Sequence, residues 1–387
     1  MDYLFTEEQE MIKELAAKIV KDKIIPAREE LDRKGEFPKE ILKSIAAADL
    51  FRIFIPEEYG GMSSKCLDLC IVVEELSKGC AGVAVSYAAS SLGSFPIILY
   101  GSEEQKKKYL PPIASGEKLA AFAITEPNSG SDASATETTA RLDGNEYILN
   151  GTKVFITYGG EADIYTVVVM TNKEKGARGA SIFIVEKGTP GFSFGKEEDK
   201  MGIRCSATRE LLFDNCRVPK ENIICKEGMG FVIAMATFAH SRPGIGAQAV
   251  GIAAGALNEA IKYAAERKQF GQPIISLQAI QHKLADMAMQ VEAARALVYA
   301  TARMLDSGKQ KNFSKESAMA KAFPSDVAMR VTIEALQVFG GYGYMRDYPM
   351  EKYVRDAKIT QIYEGTNEVQ RNIIGLELIK ESKRKKG

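Results

Sequence analysis

The hydrophobic period of this chain changes twice, and that double change constrains its fold more than any other feature. From about Thr6 to Leu119 apolar residues recur at helical spacing. Thr6 and Gln9 have the layout of a capping box, and Met11, Ile12, Leu15, Ile19 and Val20 continue the pattern until Pro26, which is expected to break the run. From about Ala120 to Cys225 the texture is that of strands. Asp143-Gly144 and Asn150-Gly151 read as hairpin turns on either side of residues 146–149, and strand-like runs follow at 154–157, 164–169 and 180–185. Connections this short predict antiparallel pairing in a small barrel or sandwich. From about Gly230 the chain is helical again, and the small-residue spacing of Gly251 and Gly255 suits close helix contact in a polar-flanked setting. The expectation is an α+β multidomain protein with a helical domain at 1–119, a β domain at 120–228 and a helical domain at 229–387. The clefts between them are the natural ligand sites.

Composition removes several function classes. Lys plus Arg and Asp plus Glu both number 51, so no net field draws the chain to nucleic acid or to an anionic membrane. No uninterrupted apolar run approaches the ~20 residues of a membrane span. The start, from Met1 to Glu8, is acidic and has the layout of neither a secretory signal nor a transit peptide, which points to a cytoplasmic protein. The basic end, Lys383 to Lys386, reads as a solvated tail. Six scattered cysteines read as reduced thiols, and with His240 and His282 as the only histidines no multi-His metal site is expected.

Four local patterns could carry chemistry. Gly244, Gly246 and Gly251 have the wrong spacing, and no preceding strand, for a dinucleotide-binding loop. Residues 122–132 run from a strand into a turn rich in hydroxyls and backbone N–H groups, a setting for a polar heterocycle or pyrophosphate. Alone, it reads as an ordinary strand-ending loop. Phe155 and Thr157 share one strand face and suit a flat cofactor, yet alone they read as cross-strand packing. Glu364 followed by Gly365 would let backbone approach a ligand closely, but a single glutamate is usually a surface group.

Taken in order, the motifs change meaning. Thr125-Glu126-Pro127-x-x-Gly130-Ser131-Asp132, Arg267-x-x-Phe270-Gly271, Gln278, Gln337-x-x-Gly340-Gly341-Tyr342-Gly343, Arg355-Asp356-Ala357 and Ile362-Tyr363-Glu364-Gly365-Thr366-x-x-x-Gln370 together resemble the acyl-CoA dehydrogenases, in particular their short- and medium-chain branch. The resemblance runs from about Phe5 to Ile379. It implies a C-terminal four-helix bundle, FAD as cofactor and a homotetramer. By the same resemblance Phe122, Thr125, Ser131, Phe155 and Thr157 would meet the flavin, and Arg267, Phe270, Gln278, Gln337 and Gly341 the pyrophosphate and adenosine, partly across a subunit interface. Thr366 and Glu368 would close the FAD site. Ser131, Phe238, Arg242, Tyr363 and Gly365 would meet the acyl-CoA. Glu364 matches the family's catalytic base, and Ser241, which stands where some relatives carry that base instead, cannot serve as one.

The implied reaction is α,β-dehydrogenation of an acyl-CoA, with electrons passed to an electron-transferring flavoprotein. Residues 87–95, which match part of the family's pocket floor, contain no Arg or Lys. An uncharged short- or medium-chain, branched or cyclic acyl group is therefore expected. Alternatives on the same scaffold are an enoyl-CoA reductase, an acyl-CoA oxidase and a non-catalytic acyl-CoA-binding protein. Three departures from the family pattern stand out. Phe155 replaces a common Trp, Ala239 replaces a common Asp, and Pro243 is expected to kink or break the helix behind Arg242.

Overall fold

The computed structural model describes residues 3–62, 65–310 and 312–384; Met1, Asp2, Lys385 and Lys386 of the two termini lie outside them. Six helices come first: α1 (Glu7–Ile19), α2 (Ile25–Lys34), α3 (Lys39–Ala47), α4 (Cys66–Gly79), α5 (Ala81–Tyr100) and α6 (Glu103–Ala114). The α1 capping box is present in both directions, Thr6 and Gln9 each accepting from the other's backbone N–H at 3.2 Å. The helical run does not stop at Pro26. A π-helical turn over Val20–Ile24 carries it into α2, and Pro26 falls in the first turn of that helix, where a missing N–H costs little.

Seven strands form one sheet: β1 (Ala120–Ala123), β2 (Thr139–Asp143), β3 (Glu146–Thr157), β4 (Ile164–Met170), β5 (Ala180–Glu186), β6 (Phe192–Glu197) and β7 (Thr208–Pro219). The order is β1-β4-β2-β3-β7-β6, with β5 on the other side of β4. Pairing is antiparallel in β2/β3, β3/β7, β4/β5 and β6/β7, but β1 runs parallel to β4, so the sheet is mixed. The β2–β3 hairpin lies between those two strands in sequence, and the chain re-enters beside β1 in the same direction.

Asp143-Gly144 is the tight turn joining β2 to β3. Asn150-Gly151, by contrast, is no turn. It lies within β3, where the register with β7 shifts between Leu149 and Gly151. A Cβ on Gly151 would stand 2.6 Å from Thr138 Oγ1, and its φ of 143° suits glycine. Close approach of backbone, not chain reversal, selects the glycine here.

The last part contains α7 (Gly230–Glu266), a two-stranded hairpin of β8 (Lys268–Gln269) and β9 (Gln272–Pro273), then α8 (Gln278–Asp306), α9 (Ser314–Phe339), α10 (Met350–Ile359) and α11 (Asn367–Arg384). The spacing of Gly251 and Gly255 does serve close packing. A Cβ on either would lie 2.3 or 2.5 Å from the carbonyl oxygens of Glu74 and Lys78 on α4. The break expected at Pro243 is absent, since α7 is continuous through it. Pro243 has no N–H for the carbonyl of Ala239, and Ser317 Oγ on α9 donates to that oxygen instead, at 2.7 Å.

Among the described residues one helix, α5, has the length and composition to cross a membrane, although Ser, Tyr and Gly interrupt its apolar run. It carries no Asp, Glu, Lys or Arg, and most of it is buried inside the protein, packed on α4, α7 and β1. Polar contacts also tie the first and last helical parts to each other and to the β part. Arg355 pairs with Asp32 at 2.6 Å, Arg28 with Glu259 at 2.9 Å, and Asp356 accepts from the N–H of Ile203 at 2.6 Å.

Candidate active site

Where β1, the end of β3, α5, α7 and the segment after α10 converge, they enclose a cavity of about 380 Å³. Its inner wall is Val85, Ala88, Ala89 and Leu92 of α5. Phe122 and Phe238 meet edge to face, 5.5 Å between centroids, beside them.

β1 delivers the polar wall. It ends in a turn carrying Thr125, Ser131 and Asp132, and that turn is fixed from beneath by Glu126. The buried Glu126 carboxylate accepts from the backbone N–H groups of Glu137 (2.6 Å) and Thr138 (3.0 Å) and from Lys153 Nζ (2.6 Å). Burial alone would raise its pKa. Lys153 and these donors outweigh burial and hold the carboxyl below its usual range. At the end of β3, Phe155 has φ 58° and is 65% exposed, an aromatic ring held out of the core beside Thr157.

Glu364 sits on the turn between α10 and α11, with φ 50°, followed by Gly365 at φ 91°. Non-glycine residues avoid that region, so the turn must be held by its surroundings. Gln370 Nε2 donates to the carbonyls of Glu364 and Gly365 at 3.1 and 3.0 Å. Lys321 Nζ donates to the Gly365 carbonyl at 2.8 Å and to Asn367 Oδ1 at 2.9 Å. Tyr363 donates its hydroxyl to Gln248 on α7. The φ of 91° favours glycine at 365, and a Cβ there, 2.7 Å from Gln370 Nε2, would also displace that donor.

The carboxyl itself is met by Ser241, whose hydroxyl donates to Glu364 Oε2. Burial raises the pKa of Glu364, and the Ser241 hydrogen bond, Arg242 and Lys321 restrain that rise. Arg242 is 5% exposed, with its Nε meeting no acceptor among the described residues and its guanidinium 5.9 Å from the Phe238 ring. Burial lowers its pKa to about 10. It is a cavity group with a free donor, not the surface ion pair a helical arginine usually makes.

Of the residues singled out in the sequence, Phe122, Thr125, Ser131, Phe155, Thr157, Phe238, Arg242, Tyr363, Glu364 and Gly365 all line this cavity. Arg267, Gln337 and Gly341 line a separate depression, where Arg267 lies 5.4 Å from the Tyr342 ring centre. Phe270 (89% exposed, on the β8–β9 turn), Gln278, Thr366 and Glu368 line neither. The sequence reading missed Lys321, Asn367 and the Lys153–Glu126 pair. Lys321 left one trace, a single lysine among the small residues Ser317, Ala318, Ala320 and Ala322 on a helical face.

Family models match almost all of the chain. The acyl-CoA dehydrogenase N-terminal domain matches residues 6–117, the middle domain 121–216 and the C-terminal domain 228–379. The chain belongs to the acyl-CoA dehydrogenase family. It is 50% identical over 382 residues to the acryloyl-CoA reductase (NADH) of Anaerotignum propionicum, covering 98% of this chain and 96% of that protein. The structure of butyryl-CoA dehydrogenase from Megasphaera elsdenii superposes with TM-score 0.95 at 48% identity, over 98% of this chain and 100% of that one. A chain in a structure reported for the electron transferring flavoprotein of Acidaminococcus fermentans superposes with TM-score 0.95 at 52% identity, over 98% and 99%. As an acyl-CoA dehydrogenase the chain is an oxidoreductase of a flavoprotein family, with the helical, sheet and helical parts of that fold.

Proposed function

We propose that this enzyme removes the α-proton of an acyl-CoA carrying a short, uncharged acyl group with Glu364, which together with loss of the β-hydride to a bound flavin would form the α,β-enoyl thioester. The observation that carries this is a carboxyl at the wall of an apolar cavity, with burial pushing its pKa upward while Ser241 holds it in place. A base for a weak carbon acid works best when its pKa approaches the working pH. Glu364 and Gly365 lie on a turn at positive φ, and by the family resemblance the backbone N–H of Glu364 would meet developing charge on the thioester oxygen. Phe122, Phe238 and Leu92 exclude water from the acyl end.

The wall fits FAD. Thr125, Thr157 and Ser131 offer hydroxyls on one side, and Phe155 stands exposed as an unpacked flat ring at the rim. When bound, FAD supplies the acceptor for the β-hydride. Arg267, Gln337 and Gly341 would hold its distal half. Phe270 and Gln278, exposed and outside both cavities, would complete the site of a neighbouring copy in a homotetramer, with Thr366 and Glu368 at the closing edge.

Among the described residues, the only cation lining the cavity is Arg242, beside Glu364. None stands on the α5 wall, so a carboxylate at the far end of the substrate would be buried without a partner. A straight butyryl-sized or compact branched acyl group is accordingly favoured over a dicarboxylyl group. The likeness to a chain from an electron transferring flavoprotein structure supports such a flavoprotein as the electron partner. The identity to an acryloyl-CoA reductase favours a second reading, that the same residues work in the reducing direction on an enoyl-CoA.

The test is anaerobic bleaching of the oxidised flavin by butyryl-, isobutyryl-, cyclohexanoyl- and glutaryl-CoA, alongside reoxidation of reduced enzyme by crotonyl- and acryloyl-CoA. Bleaching by butyryl- or isobutyryl-CoA but not glutaryl-CoA is expected, with Glu364→Gln slowing it by about 10²–10⁴-fold while keeping the flavin. A flavin bleached equally fast in Glu364→Gln would sink the base assignment. Reoxidation by acryloyl-CoA without bleaching by any saturated thioester would favour the reductase.

A further inference from the structure

Lys321 is the one group of this neighbourhood whose chemistry the proposed reaction does not yet use. Its side chain is fully buried on α9, with 0% exposure. Among the described residues it forms no ion pair. Its two acceptors are the Gly365 carbonyl and Asn367 Oδ1, both uncharged. Taking an ammonium out of water without a carboxylate in contact is costly, and a methionine would fill the same volume without that cost. A buried charge held on neutral acceptors therefore calls for a role beyond packing.

We infer that Lys321 is a positioning residue for proton abstraction: its ammonium fixes the Glu364–Gly365 turn through the Gly365 carbonyl and keeps Glu364 available as the carboxylate. This rests on the base role proposed for Glu364.

The turn is fastened from two sides. Gln248 of α7 holds it through Tyr363, and α9 holds it through Lys321. Asn367 extends the second clamp, because its Nδ2 donates to Asp326 Oδ1 at 2.8 Å and to the Ala322 carbonyl at 3.2 Å. Gln361 also donates to Asp326 Oδ1, at 2.7 Å, and Arg371 pairs with its other oxygen at 2.6 Å. Removing the ammonium would leave the Gly365 carbonyl to Gln370 alone, beside a residue already at φ 50°.

The charge acts on Glu364 across the same short path. The charged groups acting on Lys321 are Glu364 on the turn, Arg242 on α7, Asp326 on α9 and Glu368 on α11. Burial lowers the lysine to about 7, with Arg242 acting in the same direction and the three carboxylates against it. The ammonium form in turn restrains the rise of Glu364. Loss of that charge moves the Glu364 midpoint to higher pH, so less carboxylate is present at neutral pH and proton abstraction slows.

The experiment compares holoenzyme carrying Lys321→Met or Lys321→Arg with wild type by two readouts. Infrared difference titration against the matching Glu364→Gln proteins reads the Glu364 carboxyl without substrate. The pH profile of flavin bleaching by butyryl-CoA reads the base in use. In Lys321→Met both midpoints are expected to move to higher pH together, with bleaching at neutral pH slowed about tenfold. Lys321→Arg should return both toward wild type. If Lys321→Met does not fold, Lys321→Gln, which keeps a donor and loses the charge, should show the same upward shift. A carboxyl midpoint that stays at its wild-type pH in Met or Gln, with wild-type bleaching intact, would overturn the Lys321 assignment alone. A wild-type flavin bleached by no acyl-CoA would instead overturn the dehydrogenation reading beneath it.

Discussion

Two buried lysines, Lys153 in strand β3 and Lys321 behind the active-site turn, both have 0% exposure and meet different acceptors. Lys153 contacts a carboxylate at 2.6 Å and a carbonyl at 3.0 Å, and its partner Glu126 has its remaining capacity filled by two backbone N–H groups. Lys321 contacts only neutral oxygens, and the nearby carboxyl, Glu364, is left with a raised pKa. A buried charge whose partners are complete fixes a turn. Burial lowers both lysines, Lys153 to about 8 and Lys321 to about 7, so the difference lies in the carboxyl near each one. The two carboxyls show the same split, Glu126 held below its usual range and Glu364 pushed above it.

The largest effect should come from breaking the completed pair. Lys153→Met leaves Glu126 buried and unpaired, and is expected to destabilise the protein by about 3–5 kcal/mol in urea unfolding. Adding Glu126→Gln should recover part of that loss. A Lys153→Met protein as stable as wild type would show that the two regions do not differ as described.

A smaller effect tests the incomplete side. Ser241→Ala removes the hydroxyl donated to Glu364, whose pKa should then rise further, slowing flavin bleaching at neutral pH by about tenfold while the rate at high pH recovers. An unchanged acid limb would mean that Ser241 serves packing alone.

The mildest effect is on stability, and its sign is set by linkage. Burial raises the folded-state pKa of Glu364 above its ordinary 4.5, so the folded protein holds a proton that the unfolded chain has lost. The stability from that proton is full below the unfolded pKa and is lost as pH rises through the folded one. Glu364→Gln should therefore match wild type in Tm near pH 4 and exceed it by a widening margin up to the folded pKa. A gap that narrows with pH would contradict a raised pKa at Glu364.

The sequence was most legible where a residue acts through its neighbours in the chain. The capping box of Thr6 and Gln9 needs only three residues' separation, and it formed as read. Asp143-Gly144 made its turn for the same reason. Asn150-Gly151 has the same local signature, but a strand edge 13 residues upstream, at Thr138, decided its conformation. Pro243 likewise kept its helix intact because Ser317, from another helix, satisfied the carbonyl that proline leaves open.

The three-part layout, the family and Glu364 as the candidate base follow from the sequence by itself, because periodicity and ordered motifs survive in one dimension. The tertiary structure alone decided which groups tune that base. Ser241 reaches Glu364 from 123 positions away, Lys321 reaches Gly365 from 44 and Lys153 reaches Glu126 from 27. Each of these residues is ordinary in its own segment, and its chemistry exists only where packing removes water and brings one particular partner within hydrogen-bond reach.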